Sequence, residues 1–196
     1  MPKVSEEHRV AMRERIQRAA LVCVAEKGFS NVSMADIISE AGLSAGAVYV
    51  YYRSKEELIV DAGRRVFAER MEALEGLGGR DSVPPPDQAI ASFMTGLMQM
   101  DFFPGVAVQV WGEAVRNDRL GEVARSILAE TRGHIENYLE AWLRASRPTE
   151  DAKSQARILA PAVMGLMQGY AIQSALAGED AQSKYLESAR TLLSGI

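Results

Sequence analysis

The sequence predicts an all-α protein, and three observations lead there. Apolar residues recur at helical spacing, beginning with Ile16, Ala20, Cys23 and Val24. Serines that can cap a helix precede successive runs at Ser33, Ser44 and Ser54. No strand-and-turn alternation competes with these signals, and the breaks between runs are short and rich in Gly, Pro, Asn and Asp. About nine helices are expected.

The first helix carries Arg9, Arg13 and Arg15 away from its apolar face and ends at Gly28. SMADIISEAG follows. There Ser33 and Asp36 have capping-box spacing, and the short helix closes at Gly42. The next run, LSAGAVYVYY, starts at Ser44. Its VYVYY segment alone favours a strand. A strand between two well-marked helices would have almost no connecting chain, so a short helix is expected. In RSKEEL, Ser54 and Glu57 repeat the capping-box spacing, and a longer helix runs through Leu58, Ala62, Arg65 and Phe67 to about Leu74. GLGGRDSVPPP then breaks the chain. Further helices are expected over about 87–101, 105–116, 118–146, 150–177 and 180–194. They are separated by Phe103-Pro104-Gly105, Asn117-Asp118, Arg147-Pro148-Thr149 and Ala177-Gly178-Glu179-Asp180.

A chain of 196 residues with 47% apolar content can bury a sizeable core. The nearly uncharged stretch from Ile158 to Gly178 is interrupted by Pro161, Gln168 and Gln173 and lacks aromatic or basic flanks, so a buried helix is expected rather than a membrane span. The polar N-terminal MPKVSEEHRV has no apolar signal core, and the single Cys23 suits a reducing compartment. A cytoplasmic protein is expected. The net charge of −4 is uneven: residues 1–55 hold eight Lys/Arg against six Asp/Glu, and the remainder fourteen against twenty. The mild basic excess lies at the N-terminus.

Catalytic constellations are absent. There is no G-x-G-x-x-G, P-loop or H-E-x-x-H, and GLGGR has neither the spacing nor the preceding strand of a phosphate loop. Of the two histidines, His134 stands four residues after Glu130, but no third ligand is near, so no metal and no cofactor are expected. Cys23 lies on an apolar face and reads as core. The protein is not expected to be an enzyme.

Two short helices joined by A-G-L-S have the arrangement of a helix-turn-helix. SMADIISEAGLSAGAVYVYYRSKEEL, residues 33–58, resembles the signature of the TetR family of bacterial transcriptional repressors. The ordered features are a serine opening the first short helix, A-G-L-S at the turn, G-A-V-Y in the second helix, the Tyr51-Tyr52 pair, and S-K-E-E-L. A helix ending in E-K-G-F precedes them and about 140 helical residues follow. The resemblance implies a helix-turn-helix DNA-binding domain over 1–55 and a helical effector-binding and dimerisation domain over 56–196. This chain departs from the pattern at Ala47, where the family often has a hydroxyl, and at Val50, often polar or basic, which suits apolar contact with a thymine methyl.

The resemblance implies a homodimer on a pseudo-palindromic, double-stranded DNA operator, released by a small apolar or amphipathic effector; a DNA-binding regulator or activator without an effector is the second reading. Ser33, with Met34 beside it, and Ser44 sit at helix N-termini that can meet phosphates. Tyr49 and Lys55 resemble the family's phosphate contacts. Ala45, Gly46, Ala47 and Val50 are expected at base edges or close to the DNA backbone, and Tyr51 at phosphate or base. Val48 and Tyr52 are expected in the core.

For an effector pocket the expected set is Phe67, Phe93, Met94, Met98, Phe102, Trp111, Tyr138, Trp142, Met164, Met167 and Tyr170, though for any one of them plain core packing is the stronger reading. Gln109 and Glu113 flank Trp111. Either is a candidate polar anchor, with Glu113 alternatively solvated or paired with Arg116. Ala162, Gly165, Gly169 and Ile172, with Tyr185, Leu186, Ala189 and Leu193, are expected to form a dimer interface of two helices from each subunit. The alternative is that these faces close the monomer core.

Overall fold

Serine caps set the starts of the short N-terminal helices in the computed structural model, which describes residues 6–79, 82–98, 104–147 and 151–196. Helix α1 (Glu6–Lys27) ends at Gly28, whose φ of 81° lets the chain turn and whose N–H reaches Val24 O at 2.9 Å. Helix α2 (Met34–Ala41) opens on a complete capping box: Ser33 Oγ accepts from Asp36 N at 3.2 Å, and the Asp36 carboxylate accepts from Ser33 N at 2.9 Å. It closes at Gly42 with φ 60°, and Arg15 Nε donates to the Ala41 carbonyl at 2.7 Å. Helix α3 (Ala45–Tyr49) starts where Ser44 Oγ accepts from Ala47 N at 3.2 Å. VYVYY is therefore not a strand. Helix α4 (Lys55–Gly76) is capped by Ser54, but Glu57 reaches back to Arg53 N at 2.9 Å rather than to Ser54 N.

A short 3₁₀ turn (Leu77–Gly79) follows, then α5 (Pro86–Met98), α6 (Gly105–Ala114) and α7 (Asp118–Ser146). Asn117 caps α7 through its side-chain oxygen, 3.1 Å from Leu120 N. The last two expected helices follow as the two arms of α8 (Ala152–Leu193), separate helices joined at Gly178, where φ is 76° and ψ −172°. The chain folds back there. Tyr185 Oη donates to the Leu166 carbonyl at 2.9 Å, although in a straight helix residues so far apart would be separated by about 28 Å.

Two cores result. Ile16, Val24, Phe29, Ile37, Val48 and Tyr52 pack the N-terminal one, which also takes Leu58 and Ile59 of α4, Val106 of α6 and Leu120 of α7. The second lies between the end of α4, α5, α7 and α8, around Met71, Ile90, Met94, Ile135, Tyr138, Leu139 and Leu143. Helix α4 thus runs from one core into the other. Among the described residues no helix is long and apolar enough to cross a membrane.

Candidate nucleic-acid interface

Helix α3 has two unlike sides because its apolar residues are too few to bury all of it. Val48 is fully buried and Tyr52, just beyond the helix, is 3% exposed, whereas Tyr49 is 51% and Val50 77% exposed. Ala45 and Gly46 share the exposed state; Ala47 and Tyr51 are half-buried, as is Met34 on α2. Tyr51 and Met34 pack against the N-terminal core. Ser33 and Ser44 are exposed at the starts of α2 and α3. The exposed side of α3 is largely apolar, with the Tyr49 hydroxyl its main side-chain hydrogen-bonding group.

Tyr52 fixes this orientation from inside. Its hydroxyl donates to Asp61 Oδ2 at 2.7 Å and accepts from Gln17 Nε2 at 3.0 Å, and that amide also reaches Asp61 Oδ2 at 3.0 Å. Burial, reinforced by the Asp61 carboxylate, pushes the phenol's pKa above its ordinary range. Gln17 and Asp61 were not legible as partners, because they lie on different helices from Tyr52 and nothing in their spacing announces the contact.

Lys55, expected at a DNA phosphate, is engaged within the protein in this structure. Its ammonium donates to the carbonyls of Phe29 and Val32, both at 2.8 Å, with Ser30 O at 3.5 Å, and stands 5.2 Å from the Phe29 ring centroid. Three donors on three carbonyls use the donor capacity of the group. Lys55 clamps the α1–α2 loop. Alongside, Lys27 donates to Asp36 at 2.6 Å; with the Ser33 hydrogen bonds it holds the Asp36 carboxyl well below the usual carboxylate range.

The same loop is held from α6. Gln109 Oε1 accepts from Phe29 N at 2.9 Å, and Ser30 Oγ donates to Glu113 Oε2 at 3.3 Å, while Arg116 pairs with that carboxylate at 3.0 Å. Neither Gln109 nor Glu113, the expected polar anchors, lines the cavity that α6 borders. Val106, Ala107, Val110 and Trp111 of α6 instead line a cavity of about 140 Å³ at the junction of the two cores. Its other walls are Ile59, Val60 and Gly63 of α4, residues from Leu120 to Thr131 of α7, and Met164, Met167 and Gln168 of α8.

Of the expected pocket set, Trp111, Met164 and Met167 line this cavity. Phe93, Met94, Tyr138, Trp142 and Tyr170 do not; they pack in the second core, where Tyr138 Oη donates to Pro84 O at 2.7 Å and Tyr170 lies against Tyr185 with ring centroids 5.9 Å apart. Phe102 and the side chains of Phe67 and Met98 lie outside the described residues. The walls that were missed are mostly aliphatic. On α7 they recur at Leu120, Val123, Ala124, Ile127, Leu128 and Thr131, a stripe that reads as ordinary core.

Helix α8 divides similarly. Ala162 and Gly165 are exposed and Ile172 is partly so; with Ile158 and Leu176, each more than 70% exposed, they form an apolar stripe at spacings of three, four and seven. The remaining expected interface residues close the hairpin instead. A Cβ on Gly169 would clash with the Tyr185 hydroxyl, Tyr185 and Leu186 are half-buried against the core, and Ala189 and Leu193 are 1% and 2% exposed. His134 bonds Glu75 on α4, not Glu130. Among the described residues no group of three or more His, Cys, Asp or Glu side chains is arranged to hold a metal.

Residues 16–61 match the family model described as bacterial regulatory proteins, tetR family. The HTH-type transcriptional repressor Rv1474c of Mycobacterium tuberculosis is 39% identical over 93 residues, which is 45% of this chain and 49% of that protein, so the match spans about half its length. The HTH-type transcriptional regulator BetI of Agrobacterium fabrum is 27% identical across 91% of this chain and 84% of its own. Among solved structures, a transcriptional regulator (TerR/AcrR family) from Aquifex aeolicus superposes with a TM-score of 0.72 at 21% identity, covering 93% of this chain and 98% of that one. FadR of Bacillus subtilis, solved with stearoyl-CoA, superposes with a TM-score of 0.71 at 16% identity over the same shares.

Proposed function

Because this chain belongs to the TetR family of bacterial regulatory proteins, we propose that it binds a pseudo-palindromic operator as a homodimer and that a small apolar or amphipathic effector releases it. The chain is a transcriptional regulator. The observation that carries the DNA reading is the division of α3, with Val48 and Tyr52 buried and Tyr49 and Val50 exposed on a helix fixed by its neighbours. Such a helix can enter a major groove, with Tyr49 towards phosphate, Val50 suited to a thymine methyl, and the N-termini at Ser33 and Ser44 towards the DNA backbone.

A helix this short reads few base pairs, so specific binding needs two copies on symmetric half-sites. The exposed stripe from Ile158 to Leu176 supports a face that a second subunit covers. We assign the protein no catalytic role and place it in the cytoplasm, on the family and the buried free Cys23.

Release works by population shift. Helix α6 has the cavity on one side and the Gln109 and Glu113 contacts to the α1–α2 loop on another. A ligand that displaces α6 moves that loop, and α4 carries the same displacement to Lys55. If the ligand favours the conformation that binds DNA less well, DNA weakens ligand binding by the same factor. The test is selection of duplexes from a random pool, followed by titration at two salt concentrations. Enrichment of a two-fold symmetric sequence with salt-dependent affinity supports the reading; failure to enrich any sequence contradicts it.

A further inference from the structure

We infer that the cavity takes a compact, uncharged molecule of about one aromatic ring, bearing one polar group that Gln168 and Thr131 hold. This rests on the effector-responsive reading above and narrows the effector's class. Three observations carry it.

The first is electrostatic. None of the described lining residues is charged, and the nearby carboxylate, Glu113, is engaged by Ser30 and Arg116 outside the cavity. An ionic ligand would lose its hydration and gain no counter-charge, so the uncharged form is the one that enters. A charged molecule would find partners in the separate polar groove beyond Val60, Leu120 and Val123, which holds Arg13, Asp61, Arg64 and Arg119.

The second is size. At about 140 Å³ the space is close to the cavity of about 150 Å³ that admits benzene in an unrelated apolar site. A long acyl chain exceeds it.

The third is the pair of polar side chains in the wall. Thr131 and Gln168 are the polar side chains of the wall, the first on a residue 7% exposed and the second on a half-buried one. No hydrogen bond within the protein engages either side chain among the described residues, so both are available to a molecule in the cavity. The Gln168 amide both donates and accepts, as does the Thr131 hydroxyl, so a ligand hydroxyl satisfies them where a hydrocarbon does not.

The test is calorimetric titration of the full-length protein with toluene, benzyl alcohol, benzylammonium, benzoate and dodecanol. Benzyl alcohol is expected to bind best, toluene about tenfold more weakly, and both ions at least about 100-fold more weakly. Gly63→Leu places a side chain where a Cβ meets nothing within 4 Å, and is expected to abolish benzyl alcohol binding with helical circular dichroism retained. Gln168→Leu, an independent variant, is expected to bring benzyl alcohol and toluene to similar affinity.

Binding of an ion, or of dodecanol, as tight as benzyl alcohol and lost in Gly63→Leu overturns the inference, as does the absence of binding by any single-ring probe. Benzyl alcohol binding with unchanged DNA affinity upholds the cavity's ligand class and removes the effector reading. DNA release by the ions alone does the reverse.

Discussion

The side-chain oxygen of Gln109 on α6 accepts a 2.9 Å hydrogen bond from the backbone N–H of Phe29, eighty residues earlier in the chain. It joins the helix that walls the cavity to the loop that Lys55 clamps, so α6 is tied to the N-terminal core by a polar contact as well as by packing. Replacing it by an apolar residue of similar size, Gln109→Leu, leaves the Phe29 N–H without its partner. A loss of about 1–2 kcal/mol in urea-monitored stability is expected, together with a weaker effect of any cavity ligand on DNA affinity. Unchanged stability and unchanged coupling would show that the contact transmits nothing.

Lys55 is where a clamp and a phosphate contact make opposite predictions. Lys55→Met removes bonds to the Phe29 and Val32 carbonyls, so a destabilisation of about 2 kcal/mol is expected, with DNA affinity reduced by a similar factor at low and high salt. A direct phosphate contact would instead leave stability unchanged and lower the slope of log K against log salt by about 1.

Tyr52 gives the N-terminal core a dependence on alkaline pH. Folding suppresses ionisation of its phenol, so the native state holds that proton more tightly than the unfolded chain. The contribution is complete below the ordinary tyrosine value of 10.0 and is lost as pH rises above it. Wild-type stability is expected to fall by about 1.4 kcal/mol per pH unit for this group above that value. Tyr52→Phe is less stable at neutral pH by about 1–2 kcal/mol and has a flatter alkaline limb. Parallel curves for the two proteins would remove Tyr52 from the explanation.

The two sides of α8 separate assembly from folding. Leu176→Glu, at a position 78% exposed, is expected to yield a well-folded monomer by sedimentation at micromolar concentration. Leu193→Ala, at a position 2% exposed, is expected to cost about 3 kcal/mol of folding stability through the cavity it opens. A Leu176→Glu protein that still sediments as a dimer would move the interface elsewhere.

The sequence makes local features legible and distant partners invisible. Ser33, Ser44 and Ser54 each bond an N–H within three residues, so caps, turns and the short α3 helix follow from spacing alone. The Tyr52 core position and the exposed Tyr49 and Val50 follow from periodicity and family resemblance. The partners of Lys55 are backbone carbonyls more than twenty residues away, and backbone groups have no sequence signature. Aromatic and methionine side chains drew attention as pocket residues, yet Phe93, Tyr138 and Trp142 are large apolar groups that the second core absorbs. The cavity walls are aliphatic, and an aliphatic residue facing empty space has the same spacing as one facing a neighbour. Gly178 was readable as a break but not as a reversal, since only the Tyr185 contact to Leu166 shows the direction taken.

The central claim, that the exposed side of α3 meets DNA, is tested most directly by one anisotropy titration of a selected duplex with the wild type, Val50→Glu and Val115→Glu. Both valines are more than three-quarters exposed, so neither substitution disturbs a core. Val50→Glu sets a negative charge on the α3 surface, whereas Val115→Glu sets the same charge beyond the end of α6. Loss of affinity by at least about 30-fold for Val50→Glu, with Val115→Glu within about threefold of the wild type, is the expected result. Equal affinities for all three proteins would contradict it.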